Sequence, residues 1–264
     1  MSASDPSEID AEAEDLIEAM TVPARRVRPR LAEPLRDAQE FDVETPFGPV
    51  KAWRLGRGKA TLLVHGWDDD NSLWSPLLQK FAAVGRPAVA LDLPGHGFSR
   101  AENPSPRSAT AAVLAVAQAA GPVDSIAGHS YGCGIAMRAM TAGLAVERAV
   151  LMASAIPRAE RRFARAKRGG VPQAVIDRAA ELMAARADPA DAPFDMEAAA
   201  ATMTAPALFV HSMDDEQCPV EDAETLRKLW PNSKIALADG LGHRLIAQDS
   251  LMLDRVVAFL DGAR

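Results

Sequence analysis

The sequence predicts an α/β fold, a mostly parallel central sheet with helices on both faces and an inserted helical cap. Three observations carry this expectation. From Phe41 onward, short apolar runs alternate with amphipathic stretches, the pattern of strands buried on both faces between helices. The alternation breaks at about Ala155 and resumes with "APALFVHS". A serine between two glycines, Gly128-His129-Ser130-Tyr131-Gly132, stands where a strand-like run passes into a helix-like one.

Taken in order, residues 1–37 read as an N-terminal helical extension. In "DPSEIDAEAEDLIEAM", Pro6 suits a first helical turn, and Ile9, Ala13, Leu16 and Met20 share one face. This helix is expected to pack on the chain's own core, with a partner or homodimer contact as the alternative. The connector "PARRVRPRLAEP" follows. The core is expected over 38–154 and 203–264. "FDVETPF" and "VKAWRLG" read as a strand pair, "ATLLVHG" as a buried strand and "LWSPLLQKFAAVG" as a helix closed by glycine. "PAVALDLPG" is the next strand, followed by a helix from about Ala109 to Ala120. "VDSIAGHS" and "RAVLMAS" are strands flanking a helix that starts at Tyr131. "APALFVHS", "VEDAETLRKLW", "SKIALADG" and "DSLMLDRVVAFL" complete the alternation. The interruption, 155–202, holds three helical stretches, "RAERRFARAKR", "PQAVIDRAAELMAARA" and "DMEAAAATM", and is expected to be a cap over the strand ends.

Composition narrows the function classes. With 264 residues, 48% hydrophobic and 25% charged, the chain can bury a core without disulfides. A net charge of -7 offers no electrostatic footprint for nucleic acid. Two cysteines suit a reducing compartment. The acidic N-terminus lacks the pattern of a secretory signal, and no run is long enough to span a membrane. The expectation is a cytoplasmic protein with neither nucleic-acid nor membrane partners.

A G-x-S-x-G match arises by chance in roughly one chain in ten of this size, so its junction position matters more than the match. A nucleophile on such a turn needs glycines, because side chains two residues either side would collide. Gly134 is expected to give the helix room against the strand. A serine hydroxyl also needs a base. Of His65, His96, His129, His211 and His243, the last lies in "DGLGHRLI", between the last strand and the last helix. An acid to orient it is available as Asp214 or Asp215 in "FVHSMDDEQCP"; the residues alone do not separate the two. The order serine, acid, histidine suits this architecture, whereas His65, Asp92 and Ser130 would leave "GLGHR" without a role. The amide of Tyr131, directly after the serine, is placed to face an oxyanion.

Five segments in order, "LLVHGW", "DLPGHGFS", "GHSYG", "HSMDDEQCP" and "GLGH", resemble the motifs of the alpha/beta hydrolase superfamily over about Phe41 to Leu260. The resemblance implies the alpha/beta hydrolase fold with a small helical cap. It implies Ser130, Asp215 and His243 as the catalytic residues, with Asp214 at a variable place. It also implies the Trp67 amide as the second oxyanion donor beside Tyr131. Two departures lie in the acid segment, Ser212 where the motif carries glycine and Cys218 where it carries valine. The activity implied is hydrolysis of a small-molecule carboxylic ester or thioester through an acyl-enzyme, without cofactor or metal. Relatives on this scaffold also use such a triad for carbon–carbon bond hydrolysis, acyl transfer or cofactor-free peroxidation. A binding protein would be expected to lack a triad member, and none is missing.

Other features have plainer readings. Asp68, Asp69 and Asp70 are expected in a solvated loop, with a metal site or a polar rim as alternatives. Arg158, Arg161, Arg165 and Arg168 form the wet face of a cap helix, or an anion-binding rim. Phe163, Ile176 and Met183 serve packing or substrate contact. His65 is expected to make a structural hydrogen bond and His129 to point away from the serine. Cys133 and Cys218 read as small buried hydrophobes.

Overall fold

A computed structural model describes residues 6–24, 29–188, 191 and 193–262; positions 25–28 of the expected connector lie outside the described residues. The strands are β1 (Gln39–Val43), β2 (Val50–Leu55), β3 (Ala60–Val64), β4 (Ala88–Leu91), β5 (Val123–His129), β6 (Arg148–Met152), β7 (Ala207–Ser212) and β8 (Ser233–Ala238). They form one sheet in the order β1-β2-β4-β3-β5-β6-β7-β8. β1 and β4 pair antiparallel with β2, and every other junction is parallel. β1 ends sooner than "FDVETPF" suggests, because Thr45 to Gly48 close a turn with Gly48 at φ 105°. The helices are α1 (Pro6–Thr21), α2 (Ser75–Val84), α3 (Pro106–Ala119), α4 (Tyr131–Thr141), α5 (Ala164–Arg168), α6 (Gln173–Ala185), α7 (Met196–Thr202), α8 (Val220–Leu229), α9 (Gly242–Leu245) and α10 (Ser250–Leu260).

Residue parity along the central strands builds two cores, since successive side chains point to opposite faces. Leu62, Val64, Ile126, Leu151 and Phe209 meet α3, α4, α7 and α8 on one face. Leu63, Ala127, Val150, Met152 and Val210 meet α2 and α10 on the other. Helix ends follow local chemistry. Ser105 and Ser108 form a reciprocal capping box on α3, and Gly85 closes α2 at φ 70°.

The chain divides into two compact units, one of 1–24 with 157–193 and the other of 25–156 with 194–264. In the first, the apolar face of α1 is covered within the chain: Ala13 and Ile17 bury against Val175 and Ala179 of α6. Arg178 pairs with Asp10 at 2.7 Å, and Arg186 pairs with Glu14. The interruption therefore does not stay together as 155–202. Its last stretch becomes α7 of the sheet unit, because Met196, Ala199 and Ala200 are apolar enough to join the first core. Residues 29–37 of the expected N-terminal extension likewise lie in the sheet unit, where Ala32 and Leu35 are buried in the second core. Among the described residues, no helix is long and apolar enough to cross a membrane.

Candidate active site

The site gathers at the carboxyl ends of the parallel strands, where open α/β sheets hold ligands. Ser130 follows β5 with φ 52° and ψ -118°, a left-handed conformation that costs a non-glycine residue about 1–3 kcal/mol. The surroundings hold it there. Its amide donates to Met152 O at 2.9 Å, and its carbonyl accepts from the Cys133 amide at 2.9 Å. A Cβ on Gly128 would lie 2.6 Å from Gly132 O, and one on Gly132 would lie 2.2 Å from Val64 O. The expected crowding around the serine is thus against backbone. Gly134 differs from expectation: its nearest neighbour is Met196 Sδ of α7 at an ordinary 3.7 Å, so it gives room to a helix and not to the strand.

His243 does not sit in an extended loop but in α9, a single helical turn entered through Gly240 and Gly242 at φ 76° and 54°. That turn brings its Nε2 to 2.9 Å from Ser130 Oγ and its Nδ1 to 2.8 Å from Asp215 Oδ2. The second oxygen of Asp215 accepts the Gln217 and Cys218 amides, both at 2.9 Å. Burial pushes the Asp215 pKa up, but the His243 hydrogen bond and these amides outweigh it and leave the carboxyl below its ordinary value. Burial likewise presses the His243 ring toward neutrality, and its bond to Asp215 reverses the effect and raises the imidazole pKa. Asp214 turns elsewhere. It accepts from the Ser212 hydroxyl and, at 3.1 Å, from the Gly242 amide just ahead of His243.

Trp67 stands in the loop after β3, and Tyr131 opens α4 directly after Ser130. A Cβ on Gly66 would lie 3.2 Å from Ser130 Cβ, which sets the Trp67 loop against the serine, and the Trp67 and Tyr131 rings meet edge-on at 5.4 Å. His65 holds this loop from behind: the Leu93 amide donates to its Nε2 at 2.9 Å, leaving Nδ1–H to donate to Gly66 O at 2.7 Å. Asp92, fully buried, accepts from the Asn71 and Phe98 amides at 2.7 and 2.8 Å. Burial raises its pKa to about 7 against the pull of those amides. The Asp-Leu-Pro-Gly-His-Gly segment is therefore scaffolding for the loop.

Residues beyond the expected set also converge here. Asp69 and Asp70 are buried, not solvated. Asp70 caps the following turn through the Ser72 amide, and Asp69 pairs with Arg244, the neighbour of His243. His129 does point away from the serine hydroxyl, yet its Nε2–H donates to His243 O at 3.0 Å while Nδ1 lies 3.9 Å from Asp69. Burial lowers its pKa to about 4, so it stays neutral. His211 donates from Nε2 to Cys218 O at 2.8 Å and braces the acid loop. Cys133 behaves as expected, deeply buried with its thiol turned to Gly128 O and Met152 O. Cys218 is buried as expected too, and its sulfur lies within 4.8 Å of donor atoms of Asp215 and His243.

A match to the alpha/beta hydrolase family spans residues 61–260. The chain belongs to this family. Among similar proteins, the hydrolase is 26% identical over 230 residues to a pimeloyl-[acyl-carrier protein] methyl ester esterase of Xanthomonas campestris pv. campestris, covering 72% of this chain and 89% of that one. The fold is shared with an esterase of Pyrococcus furiosus at a TM-score of 0.72 and 17% identity, over 92% of this hydrolase and 97% of the other. A bromoperoxidase of Bacillus anthracis matches at 0.67 with 18% identity, over 84% of this chain and 100% of that one. A mostly parallel sheet covered by helices is the fold that these structures share with the hydrolase.

Proposed function

We propose that this hydrolase cleaves carboxylic esters or thioesters with Ser130 as nucleophile, His243 as base and Asp215 as its orienting acid. The observation that carries the reading is the unbroken hydrogen-bonded chain, 2.9 Å from Ser130 Oγ to His243 Nε2 and 2.8 Å from Nδ1 to Asp215. His243 takes the serine proton as Oγ attacks the substrate carbonyl. Asp215 holds the Nδ1–H tautomer and stabilises the imidazolium that forms. The Trp67 and Tyr131 amides receive the developing oxyanion, an effect worth about 3 kcal/mol or more per donor in such sites. His243 then returns its proton to the leaving group and activates the water that releases the acyl chain. The free thiols of Cys133 and Cys218 fit a cytoplasmic setting.

The relatives named for a methyl ester on an acyl-carrier protein make methyl esters of acyl chains the first substrates to try. The test compares wild type with Ser130→Ala on p-nitrophenyl esters of graded acyl length and on methyl esters, with fluorophosphonate labelling alongside. The expected outcome is short-chain turnover, label on Ser130 and a fall of roughly 10⁴-fold or more in the variant. Neither turnover nor label in wild type would overturn the reading.

A further inference from the structure

We propose that Asp215, Cys218 and His243 form an inhibitory binding site for one zinc-class divalent cation. A carboxylate oxygen, a thiol sulfur and an imidazole nitrogen from these residues lie within 4.8 Å of one another. Mixed sulfur and nitrogen donors suit zinc and exclude magnesium or calcium as ordinary occupants. Tetrahedral zinc, with bonds of about 2.0–2.3 Å, needs its donors about 3.3–3.8 Å apart, so side-chain rotation of about 1 Å closes the site. Three protein donors leave a fourth position for water.

The surroundings are built to hold such a set. Asp215 spends one oxygen on the Gln217 and Cys218 amides, and its Oδ2, 2.8 Å from His243 Nδ1, exchanges that hydrogen bond for the cation. His211 grips the Cys218 carbonyl and His129 grips that of His243, so both donor loops are braced from behind. Cys133, by contrast, turns its thiol to two backbone carbonyls and joins no imidazole.

The chemistry of occupancy follows from proton accounting. Zinc binds Nδ1 of a neutral His243, and the ring proton moves to Nε2. The Cys218 thiol loses its proton to solvent, so one proton is released. Nε2 then carries the hydrogen where Ser130 needs a lone pair, and the base is blocked. Inhibition rests on the ester-hydrolase reading above; cation binding does not.

The full-length chain is titrated with zinc chloride by calorimetry and with cobalt(II) chloride by absorption, for wild type, Cys218→Val, Cys218→Ala and Cys133→Ser. One zinc per chain and a cobalt–thiolate charge-transfer band are expected in wild type and Cys133→Ser, and neither in the Cys218 variants. Half-inhibition of ester turnover should need about 100-fold more zinc in those variants, with chelator restoring wild type, since even an outer-sphere partner is worth about 10–100-fold in affinity. Zinc inhibiting Cys218→Val as it does wild type, or a cobalt band lost with Cys133 instead, would sink the proposal. Should no ester turn over, calorimetry and absorption still decide whether the site exists.

Discussion

Asp214 and Asp215 are chain neighbours, yet one carboxylate meets a backbone amide and the other an imidazole. Asp215→Asn should therefore change both rate and pH dependence. The Asp215 bond raises the His243 pKa, and under the proposed mechanism His243 works deprotonated, so wild-type kcat/KM should climb with pH through a value above that of an ordinary imidazole. In Asp215→Asn that limb should move to lower pH while kcat drops about 10⁴-fold; Asp214→Asn should leave the limb in place. A pH profile of each variant decides, and an unmoved limb in Asp215→Asn would refute the coupling. The same pair has a stability signature. The depressed Asp215 carboxyl stabilises the fold above its ordinary pKa, and this contribution is lost as pH falls through the folded value. Gly132 makes a steric prediction of its own. An added Cβ meets Val64 O at 2.2 Å, and backbone cannot yield as a side-chain tip does. Gly132→Ala should cost about 3 kcal/mol, the upper end for overpacking, read as a lower denaturant midpoint.

At the scale of elements, the short turn α9 and the loop after β3 are joined by Asp69 and Arg244, 175 positions apart. His129 adds its bond to the His243 carbonyl from β5. One network thus fixes His243 and the Trp67 loop together. Arg244→Ala removes the cation from a buried carboxylate; with Arg244 half-exposed the stability cost should be only about 1 kcal/mol. The rate should suffer more, about 10- to 100-fold in kcat, because a misplacement of about 1 Å is that costly. Arg244→Lys should recover most of it, and steady-state kinetics on the three proteins checks both expectations. Equal kcat in all three would show that the pair does not position His243. These elements also show what a sequence can disclose. Strand parity in "ATLLV" or "RAVLM" is local and readable. Four residues, "GHRL", carry no helical period, so α9 is invisible. The burial of Asp69 is invisible too, because its partner lies near the other end of the chain. Ser130 and His243 stand out because flanking glycines mark their turns; Asp215 needed a motif, since only tertiary placement separates it from Asp214.

Across the whole molecule, the partition into two units rests on where apolar faces find cover. The three helical stretches of 155–202 look alike in sequence, yet α7 joins the sheet while α6 buries Val175 and Ala179 against α1. Helical period states that a face is apolar and not which partner covers it, which is why the boundary was not legible. The N-terminal helix is consequently a structural member of its unit and not an appendage. Ala13 is its sharpest probe, fully buried between α1 and α6. Ala13→Asp puts a carboxylate into that apolar contact and should cost the helix pair about 2 kcal/mol or more. Amides of α6 should then exchange with solvent deuterium roughly 30-fold faster, given about 1.4 kcal/mol per factor of ten, when the opening is local. Hydrogen exchange read by mass spectrometry, with β5 peptides as internal reference, makes the comparison. Unchanged α6 protection relative to β5 would mean that α1 contributes nothing to holding α6, and the two-helix core of the smaller unit would have to be redrawn.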